Sequence, residues 1–192
     1  LVSIAASGTL SKNTYKWGDP FEITGVTITA TYASTATKDV TAEVEFSTTL
    51  AVGQTSVTVT YQGQTCDING ITVKKADART LDDITVSQKY TVTIEQSKDI
   101  GRAGMPENAG NLTYTAGSAS STGGSASVTA SVTGSTVKFT ITGGANGEVI
   151  TLPVTITSDN YEKSPVNVVI TLTAKETPSV TANNITVTYD GN

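Results

Sequence analysis

The chain has 192 residues, a formal charge of −5, and only 15% charged and 6% aromatic side chains. Its longest basic run is Lys74-Lys75, so the clustered cations that displace counterions from phosphates are missing and nucleic-acid binding is disfavoured. No apolar stretch approaches the roughly 20 residues of a membrane span, the lone Cys66 excludes an intrachain disulfide, and the lack of any histidine excludes Ser-His-Asp and Cys-His catalysis and imidazole metal sites.

Threonine supplies about one residue in five. It is β-branched and tolerates solvent on the outer face of a sheet, so the composition predicts an all-β protein. The length suits two sandwiches of roughly 75 to 100 residues. The chain starts at Leu1 with neither an initiator Met nor a signal peptide, which reads as a piece excised from a longer exported protein.

In chain order, the first informative stretch is YKWGDPFEITGVTITATY (15 to 32). Gly18-Asp19-Pro20 is turn chemistry, and Pro20 fixes the chain just before Phe21 enters a core. Trp17, the sole tryptophan, sits beside that corner. It reads first as a cap on the open end of a sandwich. A flat sugar platform shared with Tyr15, two residues away on the same side of an extended segment, is the competing expectation. Val26, Ile28, Ala30 and Tyr32 then alternate with threonines, which predicts a half-buried strand. Further strands are expected at Val57-Val59-Tyr61 and over Ile68 to Val73, separated by turns at Gly53-Gln54, Gln62-Gly63 and Asn69-Gly70.

A polar link, KKADARTLDD, follows. The expected division is a first sandwich over 1–75, a linker over 76–82, and a second sandwich over 83–175. Strands of the second include Tyr90-Val92-Ile94, Val137-Phe139-Ile141, Val154-Ile156 and Val168-Ile170-Leu172. GRAGMPENAGN (101 to 111) and GSASSTGGSAS (117 to 127) read as surface loops, the second equally as a flexible tether. Asn183-Asn184-Ile185-Thr186-Val187-Thr188 repeats the pattern of Asp82-Asp83-Ile84-Thr85-Val86-Ser87. Residues 176–192 are therefore expected to be the first strand of a further, truncated repeat.

TYKWGDPFEITGVTITATYASTATKDVT, followed by VGQTSVTVTYQGQTCDINGITV, resembles the bacterial immunoglobulin-like (Big) domains of secreted and cell-surface proteins. The matching positions are Tyr15, Gly18, Asp19, Phe21, Tyr32, Val40-Thr41, Gly53, Val57 to Val59, Tyr61 and Gly63, all within 1–74. Ala33-Ser34 stands where the family commonly has a flexible Gly. SDNYEKSPVNVVITLTAK (158 to 175) is similar to closing segments of repeats in large Gram-positive surface proteins. The resemblance implies tandem Ig-like sandwiches in an exported, adhesin-like or wall-associated bacterial protein, with no catalytic site to carry over.

The search for chemistry gives little. Glu43 and Glu45 read as one solvated strand face, whereas a glycosidase needs two carboxylates facing each other about 5 to 10 Å apart, one of them desolvated. Asp77, Asp82 and Asp83, at the junction between modules, are the candidate calcium ligands, although Ca²⁺ takes six to eight oxygens and solvated linker charge is the plainer reading. An isopeptide bond from Lys16 to Asn69, assisted by Glu43 or Glu45, is conceivable in such modules. Cys66 has no neighbouring base and reads as a small semi-buried hydrophobe.

The expected function is non-catalytic: stalk or adhesion repeats on the bacterial cell surface or wall, or secreted. The expected partners are a host glycan or matrix protein and neighbouring Ig-like repeats, with no nucleic acid and no cofactor other than possible Ca²⁺. The alternative is a carbohydrate-binding accessory module of a larger carbohydrate-active enzyme, with Trp17 as its platform.

Overall fold

The computed structural model of the chain describes residues 1–89 and 93–174. The residues Tyr90 and Val92 and the repeat expected over 176–192 lie outside the described residues. Among the described residues the regular structure is all strand apart from one turn of 3-10 helix.

The first unit contains β1 (Ser3–Gly8), β2 (Thr14–Lys16), β3 (Val26–Thr31), β4 (Thr37–Asp39), β5 (Glu45–Phe46), β6 (Ser56–Tyr61), β7 (Gln64–Asn69) and β8 (Thr72–Lys74). Sheets β1-β3-β4 and β5-β6-β7 are antiparallel, and β2 pairs in parallel with β8. The period-2 pattern has the expected consequence: Val26, Ile28 and Ala30 of β3 and Val57, Val59 and Tyr61 of β6 are buried in one shared core. The β6–β7 hairpin turns on Gln62 and Gly63, with φ of 47° and 81°, the left-handed pair that matches strand twist in two-residue loops.

The motif residues have identifiable tasks. Phe21 is buried with its ring 5.9 Å from Tyr15 and 5.5 Å, edge-on, from Phe46. Gly18 adopts φ 94°, a conformation that costs a Cβ-bearing residue energy, and this lets the Asp19 carboxylate turn back to accept the Lys16 N–H at 3.0 Å. Val40 is buried, and the Thr41 hydroxyl oxygen accepts the Ile28 N–H at 2.8 Å. Tyr61 donates its hydroxyl to Glu43 at 3.1 Å. Glu43 itself lies in a turn rather than a strand, because its N–H bonds the Val40 carbonyl at 2.8 Å. Only Glu45 belongs to β5, so the expected two-carboxylate strand face does not form.

The second unit contains β9 (Ile84–Lys89), β10 (Thr93–Asp99), β11 (Leu112–Ala116), β12 (Ser120–Ser121), β13 (Ala126–Thr133), β14 (Thr136–Gly143), β15 (Val149–Ser158) and β16 (Ser164–Thr173). One sheet runs β11-β15-β16-β9, with β12 also on β15; the other runs β10-β14-β13. Their inner faces share a second core that includes Phe139, Ile141, Leu152, Ile156, Ile170 and Leu172.

Both expected surface loops are more structured than that. In the 101–111 segment Met105 and Ala109 are buried, and the single helical turn Glu107–Ala109 plugs the core. The Arg102 guanidinium ties this segment together by donating to the carbonyls of Met105 (3.2 Å), Pro106 and Glu107 (3.3 Å). In the Gly/Ser run, Ser120 and Ser121 pair with Thr151 and Ile150 of β15. Glu148, only 4% exposed, anchors the run: it accepts hydroxyls from Ser121 and Ser125 and the N–H groups of Ala126 and Ala145, both at 2.9 Å. These bonds, the serine hydroxyls foremost, hold its carboxyl down at about 2 against an ordinary 4.5.

Strand direction sets where the chain enters and leaves. β2 is parallel to β8, and β9 is parallel to β16. When an early strand and the last strand are parallel neighbours, the start of one and the end of the other lie at opposite ends of the ladder. The chain therefore crosses each unit from one end to the other.

Candidate functional site at the junction of the two units

The junction is built on the turn between β15 and β16, residues 158–164. Ala76, in the link, forms a parallel bridge with Tyr161. Its N–H donates to the Asn160 carbonyl at 2.9 Å, and its carbonyl accepts the Glu162 N–H at 2.8 Å. The Lys75 ammonium donates to the Ser158 carbonyl, and the Arg79 N–H to the Ser164 hydroxyl at 2.8 Å. The same turn braces the 101–111 segment from its other side: Asp159 accepts both the N–H and the side-chain amide of Asn111, at 2.8 and 2.9 Å.

Trp17 belongs to this junction. Its N–H donates to the Lys74 carbonyl at 2.8 Å, which continues the β2–β8 pairing. Its half-exposed ring meets Tyr161 edge-on, with centroids 5.4 Å apart. The Arg79 guanidinium lies 5.8 Å from the centroid of the same Tyr161 ring, within range of a cation–π attraction. Ala76, Asp77, Ala78, Arg79, Thr80 and Tyr161 line a cleft of about 430 Å³. Tyr15 is turned the other way: it is 1% exposed in the first core, and its hydroxyl donates to the Lys12 carbonyl at 2.8 Å. The two aromatics thus share no surface, since residues at this strand's end part where the chain twists into the Gly18 turn.

The three acidic residues expected at the junction do not converge on one point. Asp77 pairs with Lys16 at 2.6 Å, whereas Asp82 and Asp83 line a separate depression with Lys98 and Asp99, where Asp83 also accepts the Asn167 side-chain amide at 3.0 Å. Among the described residues no three His, Cys, Asp or Glu side chains come together in a way that could hold a metal ion. Lys16 is committed to Asp77, and Glu43 to Lys38 (2.6 Å) and Tyr61.

Elsewhere, the outer face of β10-β14-β13 carries an open depression of about 620 Å³ lined by Glu95 and Lys138 among Ser97, Thr129, Ser131 and Thr140. Burial, followed by the Asp67 charge, pushes the Cys66 thiol upward, away from a reactive thiolate. Sequence reasoning missed Tyr161, Arg79 and the 158–164 turn as partners of Trp17. The signal available was the aromatic in the polar run SDNYEKS.

Residues 9–75 match the family model of the bacterial Ig-like domain (group 3), which bears out the resemblance drawn from residues 1–74. Among solved structures, the chain is similar to domains 4–9 of the surface layer protein SbsC, at 18% identity and a TM-score of 0.27 over 81% of this chain. It is also similar to domains 4 and 5 of the S-layer protein SbsC, at 19% identity and a TM-score of 0.23, over 80% of this chain and 87% of that one. The chain spans 26% of the length of the first of these structures. No curated protein matches it.

Proposed function

We propose that these units are non-catalytic spacer and adhesion modules of an exported bacterial surface or secreted protein, joined end to end. The observation that carries the reading is the path of the chain: parallel β2–β8 and β9–β16 ladders send it across each unit from one end to the other. The match of residues 9–75 to a bacterial Ig-like domain supports the surface assignment. A compact particle of this length has a radius of gyration of about 16 Å. Small-angle scattering of the whole chain is expected to give more than about 20 Å, with the distance distribution of two bodies in line. A value near 16 Å, with one compact peak, would refute the spacer.

A second reading, a glycan-binding accessory module, has the half-exposed Trp17 beside the Arg79–Tyr161 cleft in its favour. Titration with soluble polysaccharides, mucin and matrix proteins, following Trp17 emission, separates the two. A saturable change lost in Tyr161→Ala supports glycan binding at the junction. A surface-detected hit that leaves Trp17 unmoved supports adhesion through other faces.

A further inference from the structure

We propose that the pair is built to carry tension and yields in a fixed order, the N-terminal unit first and from its last strand. This rests on the reading of the chain as a spacer loaded along its length. Tension in the link, residues 75–83, pulls on two strands at once: β8 in the first unit and β9 in the second. Each is drawn along its own axis against a parallel partner. The ladder bonds are therefore loaded in shear, all together, rather than opened one after another.

The two ladders are unequal. β8 is held through three residue pairs, Thr14↔Thr72 to Lys16↔Lys74. β9 is held through six, Val168↔Ile84 to Thr173↔Lys89. Side-chain packing does not restore the balance: β8 buries Val73 alone, while Ile84 and Val86 of β9 both pack against the second core. Three more backbone bonds, Gly53 N–H to Val73 O, Thr72 N–H to Asn13 O and Trp17 N–H to Lys74 O, help hold β8. Against these, the link itself is fastened to the second unit before β9 is reached, by the Ala76 bridge, by Lys75 on Ser158 and by Arg79 on Ser164. The one side-chain tie from β2 to the link, Lys16 to Asp77, is exposed and screened by water and salt. The junction thus makes the link part of the second unit and leaves β8 as the weak member.

The test is single-molecule stretching of the whole chain between two marker modules. Unfolding of the first unit frees roughly 250 Å of chain and of the second roughly 310 Å, at about 3.3–3.6 Å per residue before the folded span of each is subtracted. The expected trace has the shorter release at the lower force; the reverse order, or equal forces, overturns the proposal. Proline at two neighbouring positions, Ser87→Pro and Gln88→Pro, tests the clamp directly. Consecutive strand N–H groups point to opposite sides, so one variant loses a bond to β16 and the other a solvent-facing N–H, which an edge strand tolerates. Only one of the two is expected to lower the force of the longer release, and neither to move the shorter. If both leave it unchanged, β9 is not the clamp and the proposal fails; a variant with no longer release has lost its fold, and the wild-type order decides. A compact particle in scattering would remove the spacer reading itself, whereas an extended particle with reversed forces would remove only this inference.

Discussion

Tyr161→Ala is the most direct probe of the junction, because it removes side-chain contacts while the backbone bridge from Ala76 can still form. The ring meets Trp17 edge-on at 5.4 Å, a pair worth about 0.5–1.5 kcal/mol. It also receives the Arg79 guanidinium at 5.8 Å, about 0.5–1 kcal/mol at a site open to water. Together the loss is about 1–2.5 kcal/mol, which at about 1.4 kcal/mol per decade moves the docked-to-open ratio roughly 5- to 70-fold. Amide hydrogen exchange reads this at three N–H groups whose acceptors lie across the junction: Ala76, Arg79 and Glu162. Their exchange is expected to quicken by that factor while amides of β15 and β14 stay as slow as before. Trp17, the only tryptophan, is expected to shift its emission to the red at the same time. Tyr161→Phe keeps the ring and should leave both readouts near wild type. Unchanged exchange and emission in Tyr161→Ala would show that the aromatic contacts do not hold the junction.

Three further outcomes follow from the two units. Glu148 has its folded pKa depressed to about 2 from 4.5, so its contribution to stability is present above the ordinary carboxylate range and is lost as pH falls toward 2. Glu148→Gln is expected to melt earlier at neutral pH and to lack that part of the acid slope; an acid slope identical to wild type would contradict the anchoring role. Tyr61 is raised to about 12 from 10.0 by its bonding to Tyr32, by burial and by Glu43. Its contribution is therefore present below pH 10 and lost as pH rises through about 12, and ultraviolet titration should show one late phenol that Tyr61→Phe removes. Gly25 adopts φ 93°, and a Cβ there would lie 2.3 Å from the Thr9 carbonyl oxygen. Gly25→Ala is expected to cost at least about 1–2 kcal/mol in chemical denaturation, and a loss below about 0.5 kcal/mol would mean that the β1–β3 corner relaxes freely.

The first unit was legible because its signals are local. Alternation in Val26 to Tyr32 and Val57 to Tyr61, the Gln62-Gly63 turn and the Asn69-Gly70 break between β7 and β8 each depend on a few adjacent residues. The second unit was read well only where large apolar residues alternate, as in β14 and β16. β13 was missed because its inward side is Ala126, Val128, Ala130 and Val132, small residues separated by serine and threonine. That pattern is indistinguishable by composition from the flexible run before it. What turns the run from tether to structure is Glu148, more than twenty residues away, and a single carboxylate in a sequence announces no such role. Met105 and Ala109 were lost to the loop reading for a similar reason: glycine, proline and asparagine around them signal turns, and the signal is correct for the backbone but silent about which side chains turn inward.

Trp17 shows the limit most clearly. Its neighbours Gly18 and Asp19 fix a corner, and the sequence supports that much, but a corner leaves the indole with two possible employments, a ligand or another part of the chain. Local reasoning cannot choose, because the Tyr161 ring lies across the molecule in sequence and belongs to the other unit. The contact with Tyr161 is set by the link. Its pairing at Ala76 fixes the 158–164 turn beside β8, and any aromatic at the end of β2 must then face whatever that turn carries. A link of similar polarity that lacked this pairing would leave the same tryptophan open to solvent. The sequence feature that sets Trp17 against Tyr161 is thus the short stretch from Lys75 to Arg79, which by composition looked like the least informative part of the chain.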